Sequence, residues 1–305
     1  MATTMAAPVN NSIALATRFL PLLDEVYRRE SLTSVLDTAN ERVEFIGAQT
    51  AKIYKVDVDG LGNYSRNAGF VPGSSDGTWE TFTIEKDRGR SFTIDTMDND
   101  ETLGMAMAST LSQFEKQAVI PEVDCYRFAK YAAAAGTTVT ATLTNSDDIP
   151  GLITTAQAAM DDKEVPYEGR ILFVNPTIYG YLKNDITRYV DNSATDINRT
   201  VEMYDTLRVI RVPSGRFNTV CTLAAPTDAS STGGYTAAGV DINFMIVHPS
   251  AVLQVIKHQI PRVFSPEVNQ EADAWKINYR IYHDCWVLAN HTYGIYVHKK
   301  ANATT

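Results

Sequence analysis

The chain has 305 residues, 44% of them hydrophobic, with a net charge of −9 and three cysteines. That length suggests one large domain or two ordinary ones, with enough apolar content for a core. The acidic balance argues against nonspecific binding to nucleic acid or to an anionic membrane, both of which need a basic face.

Residues 1–12 are small and polar and show no period. In the stretch ATRFLPLLDEVYRRESLTSVLD, Pro21 interrupts a face formed by Leu22, Leu23, Val26 and Tyr27. It has no strong cap and too few apolar groups for a core of its own, so residues 1–40 are expected to form an extended arm lying on something else. The N-terminus lacks the basic stretch of a signal peptide, and no apolar run approaches the ~18 residues of a membrane span. No membrane partner is expected.

AKIYKVDV follows, with Tyr54, Val56 and Val58 alternating with Lys55 and Asp57, which is a strand period. After it comes DGLGNYSRNAGFVPGSSDGTWE, with five glycines but also Tyr64, Phe70, Val71 and Trp79. A loop that only closes a turn needs a few residues. In TWETFTIEKDRGRSFTID, Phe82 and Ile84, then Phe92 and Ile94, alternate with polar residues, and Gly89 is a natural bulge or bend. The expectation is a hairpin over 50–96 with a long tip, marginally stable alone.

The clearest helix is DNDETLGMAMASTLSQFEKQAVIPEVDCYRFAKYAAAAG. Asp98 and Glu101 resemble a capping box. Leu103, Met107, Leu111, Phe114 and Ala118 share a narrow face. Pro121 should kink or split the helix, and Gly136 should stop it. Residues 137–250 then alternate helix and strand. Helices are expected over 148–161 and, from Pro176 in its first turn, over PTIYGYLKND. GRILFVNP, YDTLRVIRVP and INFMIVHP read as strands. The tail reads as long strands, and Ile277, Tyr279, Ile281, His283, Cys285 and Val287 share a face that should return to the long helix.

Chemistry is hard to place on this pattern. Cys125, Cys221 and Cys285 are odd in number and widely spaced, so neither a disulfide framework nor a CxxC metal site can be read from them. Reduced thiols in a cytosolic setting are expected. His283 and Cys285 lie two apart on a strand, with Asp284 pointing away, which is a packed face rather than an activated dyad. The other histidines form no HxxxH or HExxH pair, so no metal is expected. The glycine-rich stretch lacks a phosphate loop's third glycine and its lysine, and no cofactor is expected. Asp147–Asp148 and Asp161–Asp162 abut helix ends and read as caps. Between Lys55 and Lys86 only Arg66 is basic, so the loop's aromatics lack the charge to stack on nucleic acid.

The order of these elements resembles the major capsid proteins of tailed phages, with the Hong Kong 97-type α+β fold. The likeness rests on the arm, the extended loop, the spine helix MDNDETLGMAMASTLSQFEKQAVIPEVDCYRFAKY, the strand–Asn-Pro–helix element ILFVNPTIYGYLK and the closing strands of the tail. It implies an N-terminal arm over 1–49 and an extended loop over 50–96. A peripheral domain would take 97–146 and 250–305, and an axial domain 147–249. It implies a non-enzymatic protein that self-assembles, as hexamers and pentamers, into an icosahedral virion shell around double-stranded DNA. Assembly would occur in the host cytoplasm with a portal. Tyr64, Arg66, Phe70, Val71, Trp79, Arg88 and Arg90 would meet the neighbouring subunit. The arm starts near Met1, where some relatives carry a scaffolding segment, so a separate scaffolding protein is expected. No lysine lies between Lys55 and Lys86 to crosslink neighbours from the tip, so a noncovalent shell is expected. An encapsulin-type compartment and, remotely, a cytosolic cysteine hydrolase are the alternatives.

Overall fold

A computed structural model of the chain describes residues 31–37, 50–67, 69–101, 105–189, 201–226 and 232–302. Most of the expected arm, including the segment interrupted by Pro21, lies outside the described residues.

Residues 31–37 do lie on another element, and that element is the subunit's own core. Leu36 is fully buried in the cluster that holds Tyr126, Phe128 and Tyr131. Beside it the fully buried Asp124 accepts hydrogen bonds from the Ser31 hydroxyl (2.9 Å), the Leu32 amide (3.1 Å) and the Thr33 hydroxyl (2.8 Å). Arg216 closes the other side, its Nη1 3.2 Å from Asp124 Oδ2. Arg127 Nη1 donates to the Thr33 hydroxyl (2.9 Å), and Gln254 donates to the Thr33 carbonyl (3.1 Å).

Strands β1 (Thr50–Val58) and β2 (Ser75–Thr83) form an antiparallel sheet of their own. The expected hairpin over 50–96, with a bulge or bend at Gly89, is corrected. The strand ends at Thr83, Ile84 turns into the core, and the Glu85 amide donates to Asp284 (2.9 Å). The next strand, β3 (Lys86–Asp95), pairs not with the hairpin but with the tail segment Ala274–Val287. Gly89 serves that pairing: a Cβ there would lie 2.7 Å from the Tyr279 carbonyl oxygen.

Helix α1 (Thr96–Glu101) starts ahead of the expected capping box, because the Asp95 carboxylate accepts from the Met97 amide (2.9 Å). Helix α2 (Met105–Phe114) passes through a π turn at Glu115–Val119 into α3 (Ile120–Ala133). Pro121 offers no N–H and its ring crowds the carbonyl four residues back; a wider turn relieves both. The helix therefore widens at the proline and does not split. Leu103 lies outside the described residues, but Leu111 and Phe114 pack with Val119, Val123, Tyr279 and Ile281 as the apolar face requires. Gly136 is not the cap, since α3 closes at Ala134. A Cβ on Gly136 would lie 2.7 Å from the backbone of Thr292, whose carbonyl accepts the Gly136 amide.

Next come β4 (Thr137–Thr140), α4 (Ile149–Asp161), β5 (Ile171–Val174) and α5 (Pro176–Tyr189). Asp148 caps α4 by accepting from the Gly151 amide (3.1 Å), and Asn175 caps α5 by accepting from the Thr177 amide (3.1 Å). Asp161 does more than sit at a helix end: it pairs with the buried Arg170. Strands β6 (Met203–Tyr204), β7 (Leu207–Arg211), β8 (Asn218–Leu223), β9 (Tyr235–Val247), β10 (Val252–Phe264), β11 (Ala274–Val287) and β12 (Ile295–Lys299) complete the chain.

The large sheet runs β4-β12-β9-β5-β7-β6, with β8 attached to β9; the small one runs β10-β11-β3. The large sheet thus draws in β4 and β12 from outside 147–249. Its centre is buried on both faces. Ile171 and Phe173 of β5 join the α3-side core, while Leu172 and Val174 join the core under α4 and α5. That is why β5 reads as an unbroken apolar run. In the small sheet Pro261 sits on β10, an edge strand where its missing donor is tolerated.

The expected tail face is buried at Ile277, Tyr279, Ile281, His283 and Cys285. Asp284 is buried as well and accepts from the Tyr126 hydroxyl (2.8 Å). Burial pushes the Cys285 thiol up to about 12, the reverse of an activated nucleophile. Burial, reinforced by Arg127, Arg88 and Lys86, pushes His283 down to about 4. The unfolded chain, with an ordinary histidine near 6.5, takes up this proton first. Stability should therefore fall as pH drops from about 6.5 to about 4 and lose nothing further from this group below that. Thermal melts of wild type and His283→Gln across that range should differ in pH slope, the wild type losing about 1–3 kcal/mol more. Equal slopes would refute this.

Candidate functional site

Among the described residues the β1–β2 hairpin is rooted in its own subunit at its base. Phe82 and Ile84 are buried there, and Ile53 packs with Ile84, Leu253, Val255, Tyr282 and Trp286. Phe82 and Trp286 bring their rings to 5.3 Å. Beyond the base the ribbon has no third strand and no helix against it among the described residues. A two-stranded ribbon is marginal in water, so its side chains decide what it is for.

Register sorts them. Tyr54 lies directly opposite Trp79, Val56 opposite Gly77 and Val58 opposite Ser75, which puts Tyr54, Val56, Val58 and Trp79 on one face. The two rings stand 5.0 Å apart. The Tyr54 ring lies across Gly77, where a Cβ would overlap its hydroxyl. This face is open to solvent, with Tyr54 53%, Trp79 60% and Val58 69% exposed. The opposite face carries Lys55, Asp57, Asp76 and Thr78. Asp57 and Asp76 are direct cross-strand partners, a like-charge pairing that weakens the free ribbon further.

The tip adds a second apolar group. Tyr64 and Phe70 bring their rings to 4.9 Å in a tilted arrangement across the Ser65–Gly69 bridge, and Phe70 is 87% exposed. Leu61 and Val71 are exposed beside them. Asp59 ties the tip's neck by accepting from the Ser74 amide (2.6 Å).

Of the residues expected at an intersubunit surface, Tyr64, Arg66, Phe70 and Val71 are thus gathered at the tip, and Trp79 sits midway along the ribbon. Arg88 and Arg90 are elsewhere, on β3. Arg88 is held within its own chain, its Nε 2.7 Å from Glu122 Oε1 and its Nη2 3.3 Å from the Gly234 carbonyl. Arg90 is half-buried beside Gly233. Tyr54, Val56 and Val58 were visible in the sequence as a strand period. Nothing in that period told that their face would be bare, because an alternating strand usually buries its apolar side on its own core.

A family model described as phage capsid protein matches residues 79–297. A search of curated protein sequences finds no match. Solved structures share the fold along nearly the whole chain. One of Mycobacterium phage Che8 is 16% identical, covers 95% of this chain and 98% of its own, and has a TM-score of 0.67. The capsid of cyanophage P-SCSP1u is 14% identical, with coverage of 94% and 93% and a TM-score of 0.69. The mature capsid of bacteriophage PhiM1 is 14% identical, with coverage of 95% and 93% and a TM-score of 0.68. A core shared from Trp79 to Val297, a bare apolar ribbon outside that core and a common architecture with capsid subunits agree: the chain belongs to the phage capsid protein family, as a shell-forming major capsid protein with the Hong Kong 97-type fold.

Proposed function

We propose that copies of this chain close into hexamers and pentamers that build an icosahedral head around double-stranded DNA, each hairpin lying on the neighbouring subunit. The observation that carries this is the exposed apolar face of Tyr54, Val56, Val58 and Trp79 on a ribbon that gains no third strand among the described residues. Residues 1–49 would be the arm, the ribbon the extended loop, the small sheet with α2 and α3 the peripheral domain, and the large sheet the axial domain. Tyr64, Arg66, Phe70, Val71 and Trp79 would meet the neighbour. Arg88 and Arg90 would support that contact from β3. The role is structural, not enzymatic. Each contact can be modest because closed symmetry repeats it around every ring.

The net charge of −9 suits a container that should not bind its cargo to the wall. With no lysine between Lys55 and Lys86, the tip has no amine for a crosslink and the shell is noncovalent. A separate scaffolding protein and a portal would set shell size and the DNA entrance, with assembly in the host cytoplasm. Purified particles should sediment as large closed shells, appear as such by electron microscopy, and protect DNA from nuclease when taken from a packaging host. A monomer at every salt concentration would overturn the proposal. Shells that protect an enzyme and never DNA would favour the encapsulin-type reading.

A further inference from the structure

In the run His283, Asp284 and Cys285, the middle residue stands where the hairpin leaves the body. The ladder between β3 and β11 ends at Lys86 opposite His283. One residue further on, the buried Asp284 carboxylate takes the place of a strand carbonyl and accepts the Glu85 amide (2.9 Å). Its other oxygen accepts the Tyr126 hydroxyl of α3 and the Cys285 amide, both at 2.8 Å. The carbonyl of Ile84 accepts the Tyr282 hydroxyl (3.0 Å). Ile84 and Glu85, which join β2 to β3, are thus held by side chains of β11, and the same carboxylate holds β11 to the spine helix. One helical turn before Tyr126, Glu122 grips Arg88 of β3 (2.7 Å). We propose that Asp284 and Tyr282 are positioning residues for the hairpin: they fix the direction in which it leaves its subunit and hence where its exposed face meets the next copy, an inference that rests on the intersubunit role proposed for the hairpin.

Packing alone does not set such a direction. Ile53 and Ile84 seat the base on Leu253 and Val255, and Phe82 rests on Trp286. Apolar burial is non-directional, so a ribbon on that seat is free to pivot. Hydrogen bonds weaken steeply as their angle closes, and bonds to two successive residues of the connection remove the pivot. The lever they steady is long. Strand β2 extends nine residues outward from this point, about 30 Å at ~3.3 Å per residue. A rotation of about 10° at Glu85 therefore moves the far end by about 5 Å, the spacing of two neighbouring strands. A displacement of that size is enough to lose a backbone pairing with the next copy.

The test uses the full chain, with a donor and an acceptor dye on unnatural amino acids at Thr78 of β2 and Thr154 of α4, both exposed. Single-molecule energy transfer at picomolar concentration reads the ribbon's direction in free subunits, where no neighbour can hold it. Asp284→Asn keeps the shape of the side chain but turns one of its two acceptors into a donor, so it cannot serve both Glu85 and Tyr126. Tyr282→Phe deletes one hydroxyl from a half-buried ring. Wild type should show one narrow distance, and each variant a shifted or broadened one. Tyr282→Phe should melt close to wild type, yet its shells should form more slowly or close incorrectly. A wild-type distance distribution in Tyr282→Phe, or in folded Asp284→Asn, would refute the positioning role; Tyr282→Phe decides the matter if Asp284→Asn does not fold. A displaced ribbon with normal shells would leave that role standing and sink the reading of the hairpin as the element that joins subunits.

Discussion

Deleting Leu61–Ser75 and joining the strands through an Asn-Gly turn leaves the subunit folded and abolishes shell closure. Asn-Gly suits the tight turn that a right-twisted ribbon needs. The apolar groups of the deleted tip lie on one another, Tyr64 on Phe70 and Gly62 facing Val71, and its tie to the ribbon is at the neck, where Ser74 bonds Asp59. The base that anchors the ribbon, Phe82, Ile84 and Ile53 against Trp286 and Leu253, is untouched. Circular dichroism and the thermal melt of the subunit should stay close to wild type. Assembly should stop at loose capsomers, because Leu61, Tyr64, Phe70 and Val71 would no longer reach a neighbour. Each large apolar side chain fully buried there would contribute ~1.5–3 kcal/mol per contact. Ordering the tip costs ~1–2 kcal/mol per residue, so backbone pairing with the neighbour must supply the remainder. Tyr54→Ala with Trp79→Ala, on the ribbon's bare face, should weaken shells to heat or urea without unfolding the subunit. If the hairpin were a lid for its own domain, the deletion would destabilise the monomer and spare assembly. Melts and negative-stain micrographs of one mutant separate these outcomes, and an unfolded mutant or normal shells would sink the account.

Asp124→Ala should destabilise the subunit by about 3–5 kcal/mol, the cost of removing one member of a buried ion pair. Asp124 is fully buried, and its removal leaves the Arg216 guanidinium, itself 4% exposed, without its carboxylate. The same change releases the Ser31 and Thr33 hydroxyls and the Leu32 amide. Two readouts follow: a large loss in urea midpoint, and new protease cleavage near residues 31–37 at denaturant concentrations where wild type is intact. Asp124→Asn, which keeps the shape and one acceptor, should lose less. A melt within 1 kcal/mol of wild type for Asp124→Ala would show that residues 31–37 are held by the apolar contacts of Leu36, Leu32 and Val35.

Much of the architecture was legible because it rests on local periods. The spine helix announced its apolar face at Leu111 and Phe114, and the tail announced Ile277, Tyr279 and Ile281; these two faces do pack together. Asp148 and the Asn175–Pro176 step announced the starts of α4 and α5. The tip was legible because Tyr64, Phe70 and Val71 are out of place in a glycine-rich turn. Glycines misled where their reason is a distant one. Gly89 and Gly136 looked like a bend and a cap, yet each makes room for a backbone far along the chain, at Tyr279 and at Thr292.

Local periods and turn chemistry in the sequence were enough to mark most of the helices and strands, their order, and the apolar groups that sit in a glycine-rich tip. Pairing partners were decided only in the tertiary structure. Nothing local told β3 to leave the hairpin for β11, or β4 and β12 to join the large sheet, because register is set by which faces the whole core can bury. The same holds for Tyr54, Val56 and Val58, whose exposure depends on the absence of a third strand among the described residues. It holds for Asp124 too, which reads as one more helical acid yet grips residues 31–33 from 91 to 93 positions away. A buried carboxylate is stable only where distant donors converge on it, and convergence is a property of the fold.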